Sequence, residues 1–239
     1  MKKLFSLIVM AVLTMSVMAQ TKRFYEWKDG VYTERSISEI DSITFSLPPE
    51  VDLGLPSGTL WANRNVGADY PEDYGDYFAW GETATKSTYS WNNYKWCNGT
   101  SDSQTKYCTK DSYGTVDDLT TLESEDDAAT ANWGKQWRMP TYEEMNELRT
   151  ECTWTWTTQN SVNGYKVTGP NGNSIFLPAA GYRNGSDLYS VGSSGYYWLR
   201  SLNQSYPNSA YYLYFYSEFY GTRSDSYRSY GHPVRAVMQ

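Results

Sequence analysis

The hydrophobic and polar positions of this chain are arranged mostly as short extended runs separated by turn residues. Phe24-Tyr25-Glu26-Trp27 alternates, Lys28-Asp29-Gly30 supplies a turn, and Val31 to Thr33 resumes the extended pattern. Ile40 to Phe45 alternates as a half-buried strand does, and Pro48-Pro49 then breaks the chain. Val51–Leu53 and Thr59–Ala62 flank the turn Pro56-Ser57-Gly58, while Tyr165–Val167 and Ser174–Leu177 flank Pro170-Asn171-Gly172-Asn173, a strong hairpin signal. Tyr211 to Ser217 alternates with Leu213 and Phe215 expected towards the core, leaving Tyr212, Tyr214 and Tyr216 outside. Pro233 to Val237 is expected to close the fold as a strand.

Helix is scarce. Thr141-Tyr142-Glu143-Glu144 is a capping box, Pro140 blocks extension backwards, and Met145 and Leu148 fall on one face at i, i+3. A second short helix is expected from Glu123 to Asn132, with acidic residues in its first turn where the helix dipole favours them. Two helices among many short strands make the fold class α+β. Trp80, Trp133, Trp137, Phe176 and Trp198 are the expected interior aromatics.

Residues 1–19 read as a cleaved signal peptide: Lys2 and Lys3 precede the apolar run Leu4 to Leu13, and Val17-Met18-Ala19 offers a cleavage site. The run is short for a permanent anchor, and no later segment approaches eighteen apolar residues, so no transmembrane segment is expected after cleavage. Residues 20–48 form a short β-rich leader and linker, and residues 49–239 one domain. The expected location is outside the cytoplasm: periplasmic, at the cell surface or extracellular.

Composition narrows the classes. Aromatics make up 17% of the 239 residues and charged residues 20%, which points away from disorder. The net charge is −7 and no basic patch stands out, so nucleic acid is not an expected partner. Cys97, Cys108 and Cys152 match no zinc spacing; a Cys97–Cys108 disulfide and three unpaired thiols both remain open. His232 is the only histidine, and its place beside Pro233 suggests a surface or strand-end residue rather than a catalytic base. Glu123, Glu125, Asp126 and Asp127 form the densest acidic cluster, read first as capping and solvation and second as a calcium site, although no D-x-D-x-D-G loop supports calcium. No cofactor is expected.

One stretch is more specific than propensity. Trp137-Arg138-Met139-Pro140-Thr141, with Glu144, resembles the R-L-P-T-E-x-E-W signature of the formylglycine-generating-enzyme-like branch of the C-type lectin fold. Val51 to Gly58, Gly75 to Glu82, Ile175 to Gly181 and Pro233-Val234-Arg235 extend the likeness, and residues 50 to 239 are identified as similar to the Fibrobacter succinogenes major paralogous domain family. The resemblance implies a C-type-lectin-like fold with two short helices, a small mainly antiparallel sheet and long loops. It does not imply formylglycine chemistry, which needs a late cysteine pair for copper, since all three cysteines precede residue 153. The leader also resembles those of exported proteins from Bacteroidetes-type bacteria.

Some members of the lectin fold are variable receptors of diversity-generating retroelements. Twelve of the 23 tyrosines lie between Tyr182 and Tyr230, mixed with Ser, Asn, Asp, Arg and Gly, a mixture suited to adaptable recognition. The expected ligand face comprises Tyr197, Leu199, Arg200, Asn203, Tyr206, Asn208, Tyr212, Tyr214, Tyr216, Tyr220 and Tyr227. The expected function is non-enzymatic recognition of a glycan or a cell-surface protein. The alternatives are a structural envelope subunit and, behind it, a polysaccharide-active enzyme.

Overall fold

A computed structural model describes Arg23–Lys28, Val31–Ser36 and residues 50–238. The expected signal peptide and the expected strand Ile40–Phe45 lie outside the described residues. The chain divides into two compact units, Met1–Leu47 and Pro48–Gln239. In the first, β1 (Arg23–Lys28) and β2 (Val31–Ser36) pair antiparallel with Lys28 opposite Val31, the hairpin that the alternation around Lys28-Asp29-Gly30 predicts.

The second unit is mostly sheet. β3 (Glu50–Asp52) and β4 (Leu60–Ala62) pair across the expected Pro56-Ser57-Gly58 turn, and β13 (Val237–Met238) adds to the other side of β4. β5 (Thr153–Gln159), β6 (Val162–Thr168) and β7 (Ser174–Pro178) form a second antiparallel sheet, with β6 and β7 joined at the predicted Asn-Gly turn. β8 (Tyr182–Asn184) and β9 (Asp187–Tyr189) make a small hairpin. β10 (Ser194–Leu202), β11 (Ser209–Tyr216) and β12 (Phe219–Tyr227) form the longest sheet.

Two helices complete the unit. α1 (Ala128–Trp133) is shorter than expected, because Asp127 is not inside the first turn but caps it, accepting from the amides of Ala129 and Thr130. The acidic residues before it form a single 3-10 turn at Ser124–Asp126. α2 (Tyr142–Glu151) starts at the predicted capping box: Thr141 Oγ1 accepts from the Glu144 amide at 3.2 Å, and Glu144 accepts in return from the Thr141 amide at 2.9 Å. Arg138 grips the same Glu144 carboxylate bidentately, fixing the helix start to the preceding segment.

The β10–β12 sheet is covered on both faces. On one, Tyr197, Leu199, Leu213 and Phe215 pack with Met145 and Leu148 of α2 and with Trp61, Tyr165 and Leu177. Gly195 permits this, since a Cβ there would lie 2.1 Å from the Phe215 ring. On the other, Trp198, Ala210 and Tyr212 pack with Phe78, Trp80, Trp137 and Leu122. Trp80, Trp137, Phe176 and Trp198 are interior as expected, whereas Trp133 is only half-buried, edge-on to Trp137.

The C-terminal segment is not the plain closing strand that the sequence suggests. It runs through the interior, exchanging backbone hydrogen bonds with Phe78 at His232, with Arg138 at Val237, and meeting Val66, Ala62 and Trp198 at Val234, Ala236 and Pro233. Arg235 is fully buried here without a carboxylate; its guanidinium donates to Asn65 Oδ1, Ala62 O and Phe176 O. Burial pushes its pKa down to about 10. The three cysteines are free, so the Cys97–Cys108 disulfide is not formed.

Candidate functional site

The β8–β9 hairpin turns through Gly185 and Ser186, with Gly185 at φ +61° opening a two-residue loop. Gly181, at φ +65°, brings the hairpin against the main sheet; a Cβ there would sit 2.0 Å from the Tyr189 carbonyl oxygen. This places Tyr182 against Tyr196 of β10, ring centroids 4.7 Å apart. From that pair a continuous strip of rings runs across the sheet. Tyr189 stacks on Tyr182 at 5.5 Å, Tyr196 meets Tyr214 at 5.0 Å, and Tyr214 meets Phe219 at 6.0 Å. Tyr216 stacks on Phe219 at 5.8 Å, closing the strip at the β11–β12 turn. A branch passes from Tyr182 through Tyr230 and Tyr227 to Trp91.

The strip is wet on one side. Leu188, Tyr189, Val191, Tyr216, Phe219 and Tyr227 are each 37–42% exposed. Arg223 lies over Tyr214 and Phe219, its guanidinium carbon 5.2 Å and 5.7 Å from the ring centroids. Tyr196, at the middle, is half-buried, and burial together with the neighbouring Tyr214 pushes its hydroxyl up to about 12, so it stays a neutral donor. The chemistry on offer is stacking and burial on flat rings, hydrogen bonding from phenolic tips, and one guanidinium.

The expected ligand face is only partly this surface. Tyr214, Tyr216 and Tyr227 belong to it. Tyr197 and Leu199 do not: they point to the α2 side of the sheet and are buried, Tyr197 donating to Pro178 O at 2.6 Å. Tyr212 shares the outer face with Tyr214 and Tyr216 as the alternation predicts, yet it is buried, hydrogen-bonded to Asp225 at 2.9 Å and edge-on to His232. Asn203 is buried too, its amide donating to Ser224 O and its oxygen accepting from the Ser205 and Tyr206 amides, which makes it a turn-former. Arg200 is half-buried and donates to the Leu122 carbonyl. Tyr220 faces the opposite side and stacks on Trp154 at 4.6 Å. Tyr206 is 59% exposed on the β10–β11 loop beside Lys110, apart from the chain of ring contacts, and Asn208 is half-buried next to it.

His232 is the largest departure from expectation. It is fully buried, stacked on Trp198, with Nε2 3.0 Å from Ser226 Oγ and, among the described residues, no partner on Nδ1. Burial holds its pKa well below the ordinary value. A Ser–His contact of this kind lacks the carboxylate that would orient the ring.

The acidic cluster carries its own counter-ions. Lys106 Nζ lies 2.7 Å from Asp126 and 2.5 Å from Glu123, and Lys95 reaches the other Asp126 oxygen at 3.0 Å. Burial alone would raise the Asp126 pKa, but bonds from Lys106, Tyr107 and Lys95 hold it below its ordinary value. Glu123, Glu125 and Asp126 do approach closely enough to share a cation, but the ammonium of Lys106 already lies among them. Asp127 is turned away into the cap of α1 and the Met139 amide.

Tyr182, Leu188, Tyr189, Tyr196, Phe219 and Arg223 are the site residues that the sequence reading missed. The Gly185-Ser186 pair, a glycine-first two-residue turn signal between Tyr182 and Tyr189, could have found the first three. Compared with family models, with curated proteins and with solved structures, the chain shows no match in any of the three.

Proposed function

We propose that this chain is an exported, non-enzymatic binding module that recognises a glycan or a protein through the aromatic strip of the β8–β12 face. Its scaffold is read as C-type-lectin-like, in the branch resembling the Fibrobacter succinogenes major paralogous domain. The single observation that carries the reading is the strip itself: Tyr189, Tyr182, Tyr196, Tyr214, Phe219 and Tyr216 touch in series, and the members at both ends are open to solvent. Contiguous exposed apolar surface rimmed by polar groups is what recognition surfaces share. Tyrosine adds large contact area with few rotors to freeze. If the tyrosine-rich region is diversified, change is expected at Tyr189, Tyr206, Tyr216 and Tyr227, because Tyr197 and Tyr212 are committed to the interior.

The test is binding of the purified protein to glycan and cell-surface protein arrays, with and without calcium. Saturable binding that is lost when Tyr189, Tyr216 and Phe219 are replaced together by alanine supports the reading. Binding that survives the triple substitution, or none to either array, overturns it.

A further inference from the structure

Not all strand edges in this fold are treated alike. The outer side of β10 is taken up: Trp198, Arg200 and Leu202 donate their amides to Pro233, Pro140 and Thr120. β12 is broken by a register shift between its Ser226 and Arg223 pairings, carries Arg223 and Asp225, and has one carbonyl, Ser224, occupied by the Asn203 side chain. These are ordinary ways of blunting an edge. β5 has none of them. It is the outermost strand of its sheet and pairs with β6 over all seven residues without a shift. Its sequence, Thr-Trp-Thr-Trp-Thr-Thr-Gln, has no charge, proline or glycine. Among the described residues, no hydrogen bond from outside its sheet reaches a backbone group of β5; at its end, the Gln159 side chain donates to Glu72 at 3.0 Å.

We propose that β5 is the seam of a two-fold dimer, pairing antiparallel with β5 of a second copy of this chain and joining the two β5–β7 sheets into one of six strands. The occupant is argued from the strand itself. In a chain of net charge −7, this stretch opposes its own copy without a single like-charge pair. A two-fold axis centred on Trp156 pairs Thr153 with Gln159, Trp154 with Thr158 and Thr155 with Thr157, using the whole strand. An axis one residue earlier would push the partner's end against Cys152 and Glu151, where α2 finishes. Pairing also covers indole area that the monomer leaves half-exposed at Trp154 and Trp156. Isologous two-fold contacts are the commonest way for a chain to associate with itself.

The register makes a charge test possible. Thr155 lies opposite Lys166 within its own sheet, so an acidic residue is accommodated there. Sedimentation equilibrium of the full chain is expected to give a dimer. The double substitution Thr155→Glu, Thr157→Glu sets carboxylates against carboxylates across the seam and is expected to give a monomer. Thr155→Glu with Thr157→Lys sets opposite charges face to face and is expected to restore the dimer. A monomeric parent chain, a dimer that persists in the double-glutamate variant, or failure of the glutamate–lysine variant to dimerise would each overturn the proposal. The seam lies on a different sheet from the aromatic strip, so array binding by a monomeric parent chain separates the two readings.

Discussion

Trp198 and His232 stack face to face, ring centroids 3.9 Å apart and planes 17° from parallel. Trp198 belongs to β10 and His232 to the C-terminal segment, so the contact seals that segment over the outer face of the sheet. Tyr196 and Tyr212 close around the same imidazole, with centroids 5.5 Å and 5.4 Å away. The tyrosine-rich sheet is therefore covered at its middle, and only the rings beyond this plug reach solvent.

Acid is expected to loosen the plug. His232 is neutral and buried, and its folded pKa is depressed by burial below the ordinary 6.5. Above that value neither state holds the proton. Below it the unfolded chain takes one up and the folded chain does not, so stability falls with falling pH from about 6.5 at up to roughly 1.4 kcal/mol per pH unit. Denaturant melts at a series of pH values between 7 and 5 check this; a flat profile there means that the ring is accessible to protons in the folded state.

Replacing Tyr189, Tyr216 and Phe219 by alanine is expected to remove ligand binding at a stability loss of no more than about 1 kcal/mol per site, since each ring keeps a third or more of its surface in water. Tyr212→Ala is expected to do the reverse. It removes a buried ring and leaves Asp225 without its hydroxyl partner, and the loss is expected near the 3–5 kcal/mol typical of a truncated core aromatic. Thermal midpoints measured beside binding separate the two classes.

Arg235→Met is expected to be among the most damaging single changes. It strands Ala62 O, Phe176 O and Asn65 Oδ1 in the interior, each at a cost of about 1–3 kcal/mol. Arg235→Lys, which keeps the charge but not the planar fork, is expected to recover only part of the loss. Midpoints of guanidinium unfolding at constant m-value are the measurement.

Thr141→Ala removes one half of the capping box and is expected to cost about 1 kcal/mol. Burial alone would raise the Glu144 pKa, but Arg138 and the Thr141 amide hold it low. Its contribution is present above the ordinary carboxylate value and is lost as pH falls through the folded one. Glu144→Gln is expected to reduce the acid sensitivity of α2 between pH 5 and 3, read by helical ellipticity.

Local signals determined a good part of this protein. The capping box at Thr141, the Asn-Gly turn before Ser174, the Pro-Ser-Gly turn before Thr59 and the strict alternation of Leu213 and Phe215 each act within a few residues, where one turn conformation or one pleat period decides the outcome. Even the face of Tyr212 was legible. Its exposure was not, because periodicity reports the side of a strand on which a residue lies and nothing about what lies over that side. What lies over it is His232, twenty residues further on and read from its neighbours as a strand end. Tyr197 and Leu199 were misplaced for a related reason: a sheet packed on both faces has no polar side for alternation to reveal. The buried Arg235 and the lysines that neutralise Asp126 likewise depend on partners brought from distant parts of the chain. Local sequence settles individual turns, caps and the pleat of a strand; only the threading of the C-terminal segment decides which tyrosines are core and which reach solvent.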